Sequence, residues 1–81
     1  MYSMREKKLR IVVVFNTTTD AMAAEVCLKK HKVEGRLIPL PSEISAGCGM
    51  SWSSPPDLSE EIEEILKTEG IRYENIYTVY M

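Results

Sequence analysis

The spacing of apolar residues along the chain separates strand-like from helix-like segments. Residues 9–15 form an apolar run, interrupted by Arg10 and continuous from Ile11 to Phe15, that is rich in valine and isoleucine and typical of a strand buried on both faces of a sheet. Further along, apolar residues recur at i, i+4, i+7 and i+8 and predict an amphipathic helix: Leu58, Ile62, Ile65 and Leu66. Residues 71–81 combine Ile76 and Val79 with alternating tyrosines, which predicts a last strand.

The first helix is predicted to begin in the polar cluster that follows the first strand. Thr17 or Thr18 is the expected N-cap, and Asp20 in the first turn suits the positive end of the helix dipole. We expect this helix to run to about Lys32 and to be broken by Gly35.

Two residues on this first helix could carry chemistry, but each has a simpler interpretation. Cys27 falls on the core face and is interpreted as a small buried hydrophobe. His31, near the helix end, is expected to be a capping or half-buried residue rather than a catalytic base. Met22 and Val26 fall at the margin of the core face.

Two short strands are predicted in the middle of the chain, in residues 36–40 and 49–53. Pro39 places the first of them at a sheet edge, because its nitrogen cannot donate a ladder hydrogen bond. In the second, Met50 and Trp52 share one face of the strand, and we expect Trp52 to pack in the core.

The second helix is predicted to open in residues 54–57, where two prolines suit a first turn. Asp57 and Glu60 have the spacing of a capping box, and Gly70 ends the helix. Its glutamates are interpreted as a solvated outer face rather than as paired catalytic carboxylates.

The element order strand, helix, strand, strand, helix, strand predicts an α+β fold. Two split βαβ units of this kind assemble as a ferredoxin-like βαββαβ sandwich, a four-stranded antiparallel sheet with two helices on one face. A polar N-terminal lead, residues 1–8, would precede a single sandwich domain, residues 9–81. The first strand would be central, and the loop containing Cys48 would share one end of the sheet with residues 16–19.

Composition excludes several classes of function. The chain has 81 residues and a net charge of −2, which fits one small domain and argues against a nucleic-acid binder. It contains neither a membrane-spanning apolar run nor a signal-peptide hydrophobic region, so we expect a cytoplasmic protein. One histidine and two distant cysteines offer no metal-ligand spacing. We expect free thiols, no metal and no cofactor.

The strongest candidate for chemistry is Cys48, which stands between Gly47 and Gly49. Glycine on both sides admits backbone conformations with positive φ and leaves the sulfur unshielded. The N-terminus of the first helix, expected at the same end, would offer backbone N–H groups and the hydroxyls of residues 17–19 (Thr17, Thr18 and Thr19) to an anion. A thiol there could have a lowered pKa. The alternative is a structural turn that tolerates a small cysteine.

Several of these residues match a known family. The chain resembles the putative selenium/sulfur carrier protein-like family, small bacterial and archaeal proteins, over roughly residues 9–80. The most specific part of the resemblance is the block Leu-Ile-Pro followed by Ile-Ser-Ala-Gly-Cys-Gly. The matching positions are Thr18, Asp20, Ala21, Met22, Glu25, Leu28, Lys29, Arg36, Leu37, Ile38, Pro39, Pro41 and residues 44–49.

The resemblance implies a cysteine that shuttles sulfur or selenium between donor and acceptor proteins, and this role falls on Cys48. The chain departs from the family pattern where members often have basic residues, at Ser42-Glu43 and at residues 51–53. An acid near a thiol would raise its pKa, but we expect Glu43 to point outward.

Two hypotheses therefore remain open for the whole protein. In the first, Cys48 carries a persulfide or selenide, as a carrier protein rather than as a turnover enzyme. In the second, the chain is a non-catalytic protein-interaction module, for example a homodimer, whose Cys-Gly turn is structural.

Overall fold

The structure is a computed structural model that describes residues 8–44 and 49–80. Residues 1–7, residues 45–48 and Met81 lie outside the described part, so the expectations for Gly47 and Cys48 stay predictions, as does the boundary of the N-terminal lead. The described elements are β1 (Leu9–Val14), α1 (Thr18–Lys30), β2 (Arg36–Pro39), β3 (Met50–Ser54), a 3-10 turn (Pro56–Leu58), α2 (Ser59–Glu69) and β4 (Asn75–Tyr80).

The four strands form one antiparallel sheet in the order β2-β3-β1-β4. This is the ferredoxin-like order, and it confirms the predicted fold class. β1 is central, as its continuous apolar run indicated. β2 is an edge strand, as Pro39 predicted, and Pro39 lies opposite Met50. Within residues 8–44 and 49–80, no helix has the length and apolar character that crossing a membrane requires.

The sheet register shows which loops share an end of the molecule. Val14, the last residue of β1, lies opposite Ser51 on one side and Asn75 on the other. α1 begins four residues after Val14, and β2 ends opposite the first residue of β3. The start of α1 and the base of the β2–β3 loop therefore lie at one end, which we call the Val14 end. The predicted shared end is confirmed for the described base of the loop, and the position of Cys48 itself stays a prediction.

One face of the sheet is covered by both helices, and the core between them is called the helix-side core. Its strand residues come from β1 and β3, and its helix residues from α1 and α2. Trp52 is fully buried there, as predicted, with Met50 packed on the same core. The buried members are Ile11, Val13, Phe15, Ala21, Ala24, Cys27, Leu28, Val33, Trp52, Ile62, Ile65 and Leu66.

The opposite face of the sheet has a smaller core, called the outer core. Val12 and Val14 of β1 are fully buried there, together with Ile44 from the β2–β3 loop. Leu40, Tyr77 and Val79 pack against them while remaining partly exposed. β1 is thus buried on both faces, and the outer face is covered by a loop.

α1 begins as the sequence predicted but ends earlier. Thr17 is the N-cap. The helix stops at Lys30 because Lys32 adopts a left-handed conformation, with φ 60°. In this turn the Val33 N–H donates to the Leu28 carbonyl at 2.9 Å, which satisfies a terminal carbonyl of the helix. The helix thus ends two residues before the expected end at about Lys32, and the expectation that Gly35 breaks it is wrong.

Gly35 instead allows a close approach between the chain and β3. A Cβ added there would overlap the Ser53 carbonyl oxygen and the Ser54 hydroxyl. The same hydroxyl accepts the Trp52 indole N–H at 2.7 Å and donates to the Glu34 carbonyl at 2.6 Å. Glycine is required here because the Ser53 carbonyl oxygen and the hydrogen-bonded Ser54 hydroxyl occupy the space that a Cβ would need.

The start of α2 and the start of β4 also differ from expectation. The chain enters α2 through a 3-10 turn, and Leu58, the N-cap, makes no side-chain capping hydrogen bond, so the predicted capping box is wrong. Gly70 ends α2 in a left-handed conformation, as predicted. β4 begins only at Asn75 because Ile71 and Tyr73 pack against the helix-side core instead of pairing in the sheet.

Candidate functional site

The loop that connects β2 to β3 is closed at its base by a backbone hydrogen bond. The Leu40 N–H donates to the Gly49 carbonyl at 2.9 Å, one step beyond the paired residues Pro39 and Met50. The hairpin pairing thus continues past the strands, and it fixes Gly49, the residue directly after Cys48. This closure positions the loop base at the Val14 end.

The first half of the loop is anchored on the outer core by Ile44. Its side chain is only 7% exposed and packs with Val12 and Val14. The Ile44 N–H donates to the Pro41 carbonyl at 2.9 Å and closes a tight turn. Because the turn is held at both ends, the chain enters residues 45–48 from a buried position.

The acidic residue in this turn lies at its tip. Ser42 and Glu43 are both exposed, between the turn-closing Pro41 and the buried Ile44. The expectation that Glu43 points outward is confirmed. Water screens an exposed carboxylate, so its effect on a neighbouring thiol is small.

Gly49 has a backbone conformation that favours glycine. Its φ is +90°, while a Cβ added to it would meet no atom of the described residues within 4 Å. The constraint at this position is therefore the backbone angle and not the space around it. The Gly-Cys-Gly sequence predicted positive φ at the glycines that flank Cys48, and for Gly49 this is confirmed.

The N-terminus of α1 is capped by its own residues. The Thr17 hydroxyl accepts the Asp20 N–H at 3.1 Å and donates to the Asp20 carboxylate at 3.0 Å. Thr18 and Thr19 are exposed in the first turn, where backbone N–H groups have no acceptor within the helix. Anion binding by Thr17, Thr18 and Thr19 stays a prediction, and the capping bonds leave Thr18 and Thr19 as the better donors.

Cys27, the second cysteine, lies in the helix-side core and is 8% exposed. Burial raises the pKa of its thiol, and the nearby Glu69 carboxylate raises that pKa further, while Lys30 acts in the opposite direction. The prediction that Cys27 is a buried hydrophobe is confirmed. At neutral pH the neutral thiol predominates, which makes Cys27 a poor nucleophile.

The structure also brings together three side chains that the sequence analysis did not connect. The Cys27 Sγ, a ring nitrogen of His31 and a carboxylate oxygen of Glu69 all lie within 4.8 Å of one another. His31 is the C-cap of α1, as expected of a capping residue. The i, i+4 spacing of Cys27 and His31 was a signal that they share a helix face. Glu69 comes from the other helix, and spacing alone could not place it there.

A basic hollow of about 480 Å³ lies at the other end of the sheet. Lys8, Arg10 and Arg36 line it together with Glu34, and the Arg10 Nε donates to the Ser53 hydroxyl at 3.1 Å. Arg36 lies opposite Ser53, at the far end of β3 from Gly49, so this hollow is separate from the β2–β3 loop.

Comparison with known families finds a match to a family model described as "Putative Se/S carrier protein-like", over residues 10–78. The chain belongs to this family. The resemblance seen in the sequence is thereby confirmed. Comparison with curated proteins and with solved structures found no match.

The extent of the match connects the family to the geometry described above. Residues 10–78 include the outer-core anchor Ile44, the loop with Cys48 and the first turn of α1. The family's description supports a function in carrying selenium or sulfur. It does not say which residue holds the selenium or sulfur atom.

Proposed function

We propose that Cys48 of this Se/S carrier-like protein accepts one sulfur or selenium atom from a donor protein and hands it to an acceptor protein. The observation that carries the proposal is membership of the family over a segment that includes the whole β2–β3 loop. The donor and acceptor are expected to be cytoplasmic proteins.

The transfer needs no change in overall oxidation state. The Cys48 thiolate attacks the terminal sulfur of a donor persulfide, the donor's S–S bond breaks, and the donor leaves as a thiolate. Cys48 then carries the new S–S bond and a terminal sulfur anion. A nucleophilic acceptor takes that terminal sulfur, and the Cys48 thiolate is released. Selenium in the terminal position follows the same course.

The first turn of α1 supports an anion at the Val14 end. The N-terminus of a helix has a partial positive charge, and the N–H groups of its first turn lack partners within the helix. Thr18 and Thr19 occupy that turn, while the Asp20 N–H is bonded to Thr17. A persulfide is a stronger acid than a thiol, so an anion-stabilising environment favours the loaded form at neutral pH.

The side chains near the loop base fit a carrier better than an enzyme that turns substrate over. His31 is the only histidine of the chain, and it caps the opposite end of α1 from Thr17. Glu43 at the loop is exposed and screened. An exchange between thiolates depends on thiolate reactivity and access, so this loop has no need of a proton-shuttling histidine.

Intact mass spectrometry tests the proposal. Wild type, Cys48→Ser and Cys27→Ala are each incubated with a cysteine desulfurase and cysteine. Wild type and Cys27→Ala should gain the mass of one sulfur, dithiothreitol should remove it, and Cys48→Ser should gain nothing. Loading that is equal in wild type and Cys48→Ser would overturn the proposal.

The interaction module is the second candidate, and an exposed apolar pair on α1 favours it. Met22 and Val26 are 57% and 68% exposed and lie one turn apart. If the wild type stays unloaded in the mass experiment, sedimentation of wild type and Met22→Lys would test for a homodimer through this pair. A wild type that is monomeric at all concentrations would exclude that dimer.

A further inference from the structure

The ends of the two helices meet at a cluster of three different donor side chains, which we call the Cys-His-Glu cluster. Cys27 belongs to the last turn of α1, His31 is the C-cap of α1, and Glu69 is the last residue of α2. One ring nitrogen, one thiol sulfur and one carboxylate oxygen lie within 4.8 Å of one another. These are the ligand atoms that Zn²⁺ takes in proteins.

The separation between His31 and Glu69 suits two ligands of one metal ion better than it suits a hydrogen bond. The His31 Nε2 and the Glu69 Oε2 are 3.4 Å apart, which is longer than an N–H···O bond of ordinary strength. Zinc–ligand bonds of about 2.0–2.3 Å in a tetrahedron put neighbouring ligand atoms about 3.3–3.7 Å apart. The Cys27 sulfur lies within 4.8 Å of a ring nitrogen of His31 and of a carboxylate oxygen of Glu69. Side-chain movements of about 1 Å would bring the three ligand atoms to tetrahedral spacing.

The surrounding charges also favour a cation at this position. The unsatisfied carbonyls at a helix C-terminus carry a partial negative charge, and here the C-terminal ends of α1 and α2 meet. The Glu69 carboxylate adds a full negative charge beside the Cys27 sulfur. Lys30 is the neighbouring positive charge that opposes a cation.

We propose that the Cys-His-Glu cluster is a zinc site with Cys27, His31 and Glu69 as its three protein ligands. On binding, the Cys27 thiol loses its proton to solvent, and the sulfur forms a bond to the metal. His31 binds as the neutral imidazole and Glu69 as the carboxylate, so the charges of thiolate and carboxylate balance that of Zn²⁺. Because His31 and Glu69 are exposed, a water molecule from solvent completes the four ligands.

Such an ion would join the two helices at their ends. One contact that joins them there is the His31–Glu69 pair, which two exposed side chains make. A metal held by both helices binds only the folded chain with full affinity, so it raises the apparent stability in proportion to the logarithm of metal concentration. This role is independent of sulfur transfer by Cys48, since the ligands lie at the far end of α1.

Cobalt binding to the untagged full-length chain tests the zinc site. CoCl₂ alone is titrated into the reduced protein, the thiolate-to-cobalt charge-transfer band and the visible d–d bands are recorded, and ZnCl₂ is then added in competition. The variants are Glu69→Gln, which changes an exposed side chain, and Cys27→Ala. Glu61→Gln is the matched control because Glu61 is exposed on the same helix.

The wild type and Glu61→Gln should bind one equivalent and show both sets of bands, and zinc should abolish them. Glu69→Gln should bind about tenfold more weakly or worse, since changing even a residue that only supports a metal ligand costs that much. Cys27→Ala should lose the charge-transfer band. A charge-transfer band that persists in Cys27→Ala, or Glu69→Gln binding as tightly as Glu61→Gln, would overturn the site.

Discussion

The two faces of the sheet are covered in different ways. On one face, two helices bury a core that includes Trp52, Phe15 and Leu28, all fully buried. On the other, the buried set is Val12, Val14 and Ile44, and Ile44 is supplied by the loop that leads to Cys48. The central strand contributes to both cores through alternate side chains.

This difference gives the two cores different roles: the helix-side core stabilises the fold, and the outer core positions the β2–β3 loop. The helix-side core buries most of the large side chains, so most of the hydrophobic free energy of folding belongs to it. The outer core is small, and it attaches a loop whose backbone is otherwise closed by the Leu40–Gly49 bond. The described first half of the loop, residues 40–44, has Ile44 as its buried residue, so it can open locally without unfolding the sheet. Substitutions on the two faces should therefore have different consequences.

The largest effect is expected from truncation in the helix-side core. Leu28→Ala should lower the free energy of unfolding by about 3 kcal/mol, because it removes a fully buried side chain and leaves a cavity. Urea unfolding followed by Trp52 fluorescence measures it. The control is Met22→Ala on the exposed side of α1, which should change the free energy by less than about 0.5 kcal/mol. Equal values for both variants would contradict the assigned core.

Gly35→Ala should come next, at about 2–3 kcal/mol. Its methyl group would overlap the Ser53 carbonyl and the Ser54 hydroxyl. The added Cβ would also lie only 2.8 Å from the Trp52 Nε1. The same unfolding experiment measures the loss, and a red shift of Trp52 emission should accompany it because the indole loses its packing. A neutral Gly35→Ala would show that the turn relaxes freely and that the close approach is unimportant.

Ile44→Ala should cost about 2 kcal/mol or less, because local opening of the loop limits what the sheet loses. Limited proteolysis should reveal a larger change, with cleavage within residues 41–48 much faster than in wild type. Ser42→Ala, in the same turn but exposed, is the control and should be cleaved at the wild-type rate. If Ile44→Ala is no more susceptible than Ser42→Ala, Ile44 does not anchor the loop.

The smallest effect is expected for Gly49→Ala, at about 1 kcal/mol. A Cβ at Gly49 would meet none of the described atoms within 4 Å, so the strain of its positive φ is the expected cost, whereas Gly35 has both strain and overlap. The two glycine variants therefore form a matched pair in urea unfolding. If Gly49→Ala lowered the free energy of unfolding as much as Gly35→Ala does, the loop base would be tightly packed, which contradicts the account of the two faces.

The sequence predicts the sheet well because β1 and Pro39 carry unambiguous signals. A continuous apolar run requires burial on both faces, and a proline cannot donate within a ladder, so strand positions followed from local chemistry. The end of α1 and the start of α2 were harder to predict. Lys32 adopts a left-handed conformation that glycine usually supplies, and Pro56 begins a 3-10 turn where a capped helix was expected. Tertiary packing decided both.

The candidate site was predictable only in part. Gly49, the N-cap Thr17 and the exposed Glu43 follow from local sequence and are found as expected. The burial of Ile44 on the outer face could not be predicted, because a single apolar residue in a loop has no periodicity. The Cys-His-Glu cluster was missed because Glu69 is 38 residues from His31 and meets it only through the packing of two helices.

The central claim is that sulfur is held by Cys48 in the β2–β3 loop and not by Cys27 in α1. Mapping the transferred sulfur to a peptide tests this claim most directly. Wild type, which retains both cysteines, is loaded by a cysteine desulfurase, and its persulfide is trapped by alkylation. The protein is then digested, and the peptide masses are measured by mass spectrometry. The extra sulfur should be found on the peptide containing Cys48, with Cys27 alkylated only after unfolding. Sulfur found on Cys27 would contradict the account.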